Sequence, residues 1–267
     1  MGSNAVNDGA GRFTAHNILL ADGRQTRPEA DFLLADELWC RSARSIVRML
    51  YPNGVTGIRI ADLGCLEGGF AVEFARMGMD AVGIEVRKSN YQNCLYVKQH
   101  TDLPNLDFIN DDAWNLPRYG MFDVIFCCGL LYHLENPVSF INMLSTACRR
   151  AVILNTHFAT GKTDYEGYPL SEMTEHEGVE GQWLQEYDRN EVARHNNLDD
   201  MKWASWTNDR SFWIRREYIF DVLKSAGFDV ILEQFDSQAN SISKHLTEGY
   251  YVTHDRSTFI GVKVGNV

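Results

Sequence analysis

Between residues 57 and 157 the chain repeats one unit, a short apolar run, a break and then an amphipathic run. The apolar runs are "GIRIADL" (57–63), "DAVGIEV" (80–86), "LDFIND" (106–111), "FDVIFCCGL" (122–130) and "AVILNTH" (151–157). The fourth is apolar throughout, as a central parallel strand covered on both faces must be. Between the runs, "GFAVEFARMG" puts Phe70, Phe74 and Met77 on one helical stripe and closes on Gly78. Pro137 opens "PVSFINMLSTACRR" where proline suits a first turn. This alternation predicts an α/β fold with a doubly wound, mostly parallel sheet.

The flanks complete the plan. Asp22–Gly23 predicts a hairpin within 16–26. Phe32, Leu33, Leu38, Ile46, Val47 and Leu50 predict a helix over 30–50. After residue 157 the rhythm stops, and residues 158–212 are polar, acidic and tryptophan-bearing, with only patchy helical signal. So long a segment between core elements reads as a functional lid. A helix over 216–228 and strands at 229–235 and 257–264 bring the sheet to seven strands. The expected organisation is therefore a hairpin and helix (1–56), a core (57–157), a lid (158–212) and the C-terminal part of the core (213–267).

A formal net charge of −11, from 36 acids against 25 bases, repels anionic polymers, so nucleic acid is disfavoured as a partner. None of the six cysteines forms a C-x-x-C or a zinc spacing, and most lie in apolar runs, as reduced buried thiols do. No run is long enough to span a membrane, and "MGSNAVNDGAGRF" lacks the pattern of a secretory leader. A soluble, cytoplasmic protein is expected, and a homo-oligomer is compatible with the sequence.

The loop after the first strand reads "DLGCLEGG" (62–69). A loop at this point needs glycine to turn tightly and to bring its backbone against a ligand, which Gly64, Gly68 and Gly69 allow. Leu66 stands where a middle glycine is usual. Glu85, at the end of the second strand, follows Asp62 by 23 residues, the spacing of a carboxylate that accepts ribose hydroxyls. After the third strand, "NDDAW" offers Asp112 to an adenine amino group and the Ala113 amide to a ring nitrogen. Glycine loop, acid and acid point to an adenosine ligand, either a nicotinamide dinucleotide or S-adenosylmethionine. The third acid favours the second.

"IADLGCLEGGFAVEFARMGMDAVGIE", "NDDAWNL" and "FDVIFCCGLLYHLENP" resemble the class I S-adenosylmethionine-dependent methyltransferases, closely over 57–157 and more loosely over 213–264. The "DLGCLEG" form resembles a recurrent variant of that family's loop, in its small-molecule branch. The resemblance implies a Rossmann-like fold, S-adenosylmethionine as cofactor and S-adenosylhomocysteine as product. It implies that Asp62, Gly64, Cys65 and Gly68 hold the methionine part and that Glu85 takes the ribose. It assigns the adenine to Asp112 and Ala113, and brings the backbone at Cys128–Gly129 to the methionine ammonium. "GLLYHLENP" is also similar to a segment of tRNA wobble-uridine modifying enzymes, which keeps that activity as an alternative, alongside an NAD(P)-dependent oxidoreductase.

Methyl transfer to a hydroxyl needs alignment and a base, and a base belongs at the carboxyl end of a strand. His133 and His157 both qualify, and His157, which runs straight into the lid, is preferred. A metal site at His176 with Glu175 or Glu177 has only a short acidic pattern in its favour, so none is expected. Tyr132, Trp183 and Trp206 are candidate contacts to a flat or sugar-like small-molecule acceptor; the lid aromatics serve equally as the lid's own core. The acidic lid favours neutral or cationic acceptors. The expected activity is O-methyl transfer by in-line displacement with a histidine base.

Overall fold

The computed structural model describes residues 11–187, 198–234 and 255–265, together with Ser243 and Thr247. The chain divides into two compact units, Met1–Ala113 and Trp114–Val267.

In the first unit, α1 (Leu38–Leu50) leads to β1 (Arg59–Leu63), α2 (Gly69–Arg76), β2 (Asp80–Ile84), α3 (Lys88–Gln99) and β3 (Leu106–Ile109). β1 pairs with β2 and β2 with β3, both in parallel, with Asp62 opposite Gly83. The expected hairpin is a tight turn at Gly23, closed by one antiparallel bridge between Leu19 and Gln25. The helix expected over 30–50 begins only at Leu38. Before it, the Leu34 N–H is drawn to the Asn17 carbonyl at 2.8 Å and Glu37 is extended, so residues 34–36 make a single 3-10 turn.

Residues 14–16 are tied to the glycine loop by one side chain. The buried Glu67 carboxylate accepts the backbone N–H groups of Thr14 (2.6 Å), Ala15 (3.0 Å) and His16 (2.9 Å). His16 in turn accepts the Gly69 N–H at its Nδ1 (3.1 Å), and burial holds its pKa down at about 4, so the ring is neutral and free to accept. Glu67→Gln presents an amide N–H₂ to these donors. It is expected to lower stability by about 2 kcal/mol, because charge-assisted bonds are lost and donors are left unpaired. A urea midpoint shift at unchanged slope checks this.

The second unit contains β4 (Phe122–Cys128), α4 (Pro137–Ala147) and β5 (Cys148–His157). Where the sequence carries only a patchy helical signal, the described residues include antiparallel strands. β6 (Asp164–Tyr165) pairs with β7 (Tyr168–Pro169), and β8 (Thr174–His176), β9 (Val179–Gln185) and β10 (Arg210–Ile214) form a three-stranded sheet. β10 runs across the boundary expected at 212. Buried Gln182 ties this region together, with bonds to Gly161 N (2.8 Å), Lys162 O (2.8 Å) and Ser171 O (2.6 Å). α5 (Arg216–Ser225), β11 (Val230–Gln234) and β12 (Arg256–Val262) follow.

The main sheet has seven strands in the order β11-β12-β5-β4-β1-β2-β3, with β12 antiparallel to both β5 and β11. This is the mostly parallel α/β sheet that the strand–helix rhythm predicts. Among the described residues no helix is long and apolar enough to cross a membrane.

Candidate active site

The loop after β1 turns through three left-handed residues, Gly64 (φ 64°), Leu66 (φ 49°) and Gly68 (φ 81°). Gly68 also permits close packing, since a Cβ there would fall 2.5 Å from the Phe108 ring. Leu66 holds a left-handed backbone at a cost of roughly 1–2 kcal/mol for an L-residue. Its backbone is held on both sides: Leu66 N–H donates to Glu85 Oε2 (2.9 Å), and the Cys94 thiol donates to Leu66 O (3.1 Å).

Both acids of this unit are buried. Asp62 accepts the Ala71 N–H near the start of α2 (3.0 Å), and burial pushes its pKa up to about 7. The unfolded chain ionises this group near 3.8, so the folded state holds the proton to higher pH and stability falls as pH rises between these values. Asp62→Asn is expected to flatten the decline of Tm between pH 4 and pH 7. Burial also raises Glu85, although Arg87 N–H (2.8 Å) and Leu66 N–H each donate to one of its oxygens. Each oxygen keeps a second lone pair for a ligand hydroxyl. Asn90, fully buried beside this carboxylate, has no hydrogen bond of ordinary length to its amide. A buried carboxylate with lone pairs to spare, next to a backbone cradle and a buried amide, suits a ribose and its chain. Asp112, half-buried, donates its N–H to Asp111 Oδ1 (2.8 Å), and Ala113 begins a 3-10 turn.

In the second unit, β4 ends at Cys128, and Gly129 (φ 78°) donates its N–H to Asn155 O (3.0 Å). At the end of β5, His157 is 6% exposed. Its Nδ1 lies 2.8 Å from Asp255 Oδ1 and its Nε2 lies 3.2 Å from the Tyr165 hydroxyl. Trp213 stacks on the ring (centroids 4.8 Å apart, 17° between planes), and Tyr132 (4.6 Å) and Tyr165 (4.9 Å) present edges. Burial, and after it the Arg256 charge, draw the His157 pKa below its usual value; the bond to Asp255 opposes them. The Asp255 carboxyl lies below the usual range because His157 and Lys162 outweigh its burial. Lys162 Nζ stands 3.3 Å from Asp255 Oδ2.

His133, the other candidate base, has Nδ1 2.9 Å from both oxygens of Glu186, a buried carboxylate just after β9 that also accepts the Ser205 N–H (3.0 Å). Both histidines touch Tyr132, with the His133 ring 4.3 Å from it. Trp183, the expected acceptor contact, lies on a different face of the lid-region sheet from Trp213. β9 and β10 set Phe212 opposite Trp183 and Trp213 opposite Gln182. Trp183 therefore shares a face with Phe212 and His176, under the Arg210 guanidinium (4.2 Å), while Trp213 takes the face toward His157. Trp206 is half-buried in the loop before β10. His176 faces Glu135 O and Asn136 Oδ1 (3.1 Å each), and Glu177 accepts Val138 N–H and Ser139 N–H at the start of α4. Among the described residues no three His, Cys, Asp or Glu side chains gather as a metal would require. Asp255 and Tyr165, which contact His157, were not singled out by the sequence reading.

Residues 55–194 match the family model of the methyltransferase domain, over half of the chain. The chain belongs to the methyltransferase-domain family. It is 28% identical over 92 residues to the ubiquinone biosynthesis O-methyltransferase of Rickettsia typhi, an alignment covering 34% of this chain and 37% of that protein. The chain thus spans little more than a third of that relative's length. The Cereibacter sphaeroides protein of the same name is 25% identical over 182 residues, covering 67% of this chain and 64% of that one. Among solved structures, the N-terminal domain of EvdMO1 with S-adenosylhomocysteine bound superposes with a TM-score of 0.62 at 20% identity, covering 86% of this chain and 82% of that one. These comparisons establish the class I methyltransferase fold, the Rossmann-like sheet implied by the sequence resemblance.

Proposed function

We propose that the chain transfers a methyl group from S-adenosylmethionine to a hydroxyl of a small-molecule acceptor. The observation that carries this reading is His157: a neutral, carboxylate-paired imidazole at the end of β5, with its second nitrogen turned to a hydroxyl. The names of the sequence relatives, O-methyltransferases, support an oxygen acceptor.

When bound, the cofactor supplies an activated methyl group on a sulfonium. The protein's part is to align the acceptor and take its proton. Gly64, Cys65 and Gly68 with Asp62 hold the methionine part, Glu85 takes both ribose hydroxyls, and Asp112 with the Ala113 amide reads the adenine. His157 Nε2 accepts the proton of the acceptor hydroxyl. Tyr132, in contact with both histidines, lines the acceptor. His133 is bonded to a lid carboxylate and anchors the lid, so His133→Asn is expected to raise KM more than it lowers kcat.

Incubation with methyl-labelled cofactor and a panel of phenols, sugars and amines tests the reading. Label in an ether product is expected. Label only in amine products, or cofactor binding without turnover on any class, contradicts it. A tRNA shift assay at low salt separates the wobble-base alternative, which the net charge disfavours.

A further inference from the structure

We propose that Asp255 is the positioning residue of the base, and that the Tyr165 hydroxyl holds, in the free enzyme, the place of the acceptor hydroxyl on His157. This deepens the reading above and rests on it. Asp255 is 3% exposed and lies 98 positions from His157; β12 brings it back because Arg256 pairs with His157 in the antiparallel ladder. The carboxylate only accepts, so Nδ1 must carry the proton of the neutral ring. Nε2 is then left with a lone pair, and the partner it meets is a hydroxyl, Tyr165 Oη at 3.2 Å. Burial pushes the Tyr165 phenol up to about 12, so it stays protonated and donates. A phenol that donates to the lone pair of the base has the chemistry of a substrate hydroxyl.

The surroundings hold this arrangement. Stacking on fully buried Trp213 fixes the plane of the imidazole, and the Tyr132 and Tyr165 edges close two sides. Tyr165 itself sits on the two-residue strand β6, which pairs with β7 in a two-stranded sheet separate from the main one, so moving it leaves the main sheet's ladders intact. In the reaction the acceptor oxygen displaces the phenol, and its O–H proton passes to Nε2 as its electron pair forms the new C–O bond. The C–S pair stays on sulfur, giving the thioether, and Asp255 stabilises the imidazolium until the proton leaves to water. This assigns Asp255 a role through His157, with no contact to substrate.

Lys162 makes the claim sharply testable. Its ammonium, a donor only, faces the second Asp255 oxygen. In Asp255→Asn the amide oxygen should turn to Lys162 and the N–H₂ to Nδ1, forcing the ring proton onto Nε2. Nitrogen-15 NMR of the histidine ring in full-length protein without cofactor reads this directly. Wild type is expected to show protonated Nδ1, and Asp255→Asn protonated Nε2, with kcat down about 10³- to 10⁴-fold and S-adenosylhomocysteine affinity within twofold of wild type. If the asparagine protein does not fold, Asp255→Ser replaces it, with a mixture of tautomers expected. Tyr165→Phe is expected to raise kcat/KM for the acceptor severalfold, since the acceptor no longer competes with the phenol.

An unchanged Nδ1–H tautomer in the Asp255 variants, or kcat within threefold of wild type, overturns the role of Asp255. A fall in kcat/KM for Tyr165→Phe overturns the placeholder. The tautomer is read without turnover. A flip in an enzyme that methylates no hydroxyl therefore contradicts the proposed function while upholding the link between Asp255 and His157.

Discussion

Replacing His157 with asparagine is expected to lower kcat by about 10²- to 10⁴-fold, the range ascribed to a positioned general base. Asparagine keeps a donor near the Nδ1 position, so the bond to Asp255 survives and the atom removed is Nε2. Affinity for S-adenosylhomocysteine should stay within twofold, because no predicted cofactor contact is touched. The pH profile carries a second signature. His157 faces Asp255, Tyr165 and, across the ladder, Arg256, with His133 and Lys162 adding charge nearby. Its pKa is below the usual value, burial being the first cause. The neutral, proton-accepting form therefore persists to lower pH, and the acid limb of kcat/KM should fall below 6.5. In His157→Asn that limb should disappear. A variant that keeps both the rate and the limb would remove His157 from the chemistry.

The core of this molecule is legible in its sequence because the physics there is local. Parallel strands covered on both faces must be apolar, so "FDVIFCCGL" and "AVILNTH" announce β4 and β5. The glycine loop shows itself through residues that tolerate left-handed backbone. Leu66 is harder to read, because a leucine with a left-handed backbone (φ 49°) is uncommon. The lid was less legible. In β9 a polar residue, Gln182, is buried while Trp183 beside it is only half-buried, and three of the other strands are only two or three residues long, too short for a periodic signal. Choosing between Trp183 and Trp213 depends on the register of β9 and β10, which one chain read in order does not reveal. Asp255 is harder still. It lies in no apolar run and meets His157 only because β12 returns antiparallel beside β5. The local half of the site, loop and first acids, was readable; the half made by long-range pairing was not.

Glu85→Ala has the second large expected effect, on cofactor affinity rather than rate. The carboxylate joins β2 to the glycine loop through Leu66 N–H and to the start of α3 through Arg87 N–H. Its remaining lone pairs are those assigned to the ribose. Hydrogen bonds to a charged group contribute about 1.5–3 kcal/mol each, so losing two of them should weaken binding about 10²-fold or more. The unsupported Leu66 amide should add to the loss by loosening a left-handed residue that is already strained.

Calorimetric titration of wild-type and Glu85→Ala protein with S-adenosylhomocysteine, and of wild type with NAD, tests this most directly. The expected result is one saturable site for S-adenosylhomocysteine in wild type, an affinity lower by two orders of magnitude or more in a Glu85→Ala protein that still folds, and no heat with NAD. Equal affinity in the two proteins, or a preference for NAD, would contradict an adenosyl sulfonium held by the β1 loop and the β2 carboxylate.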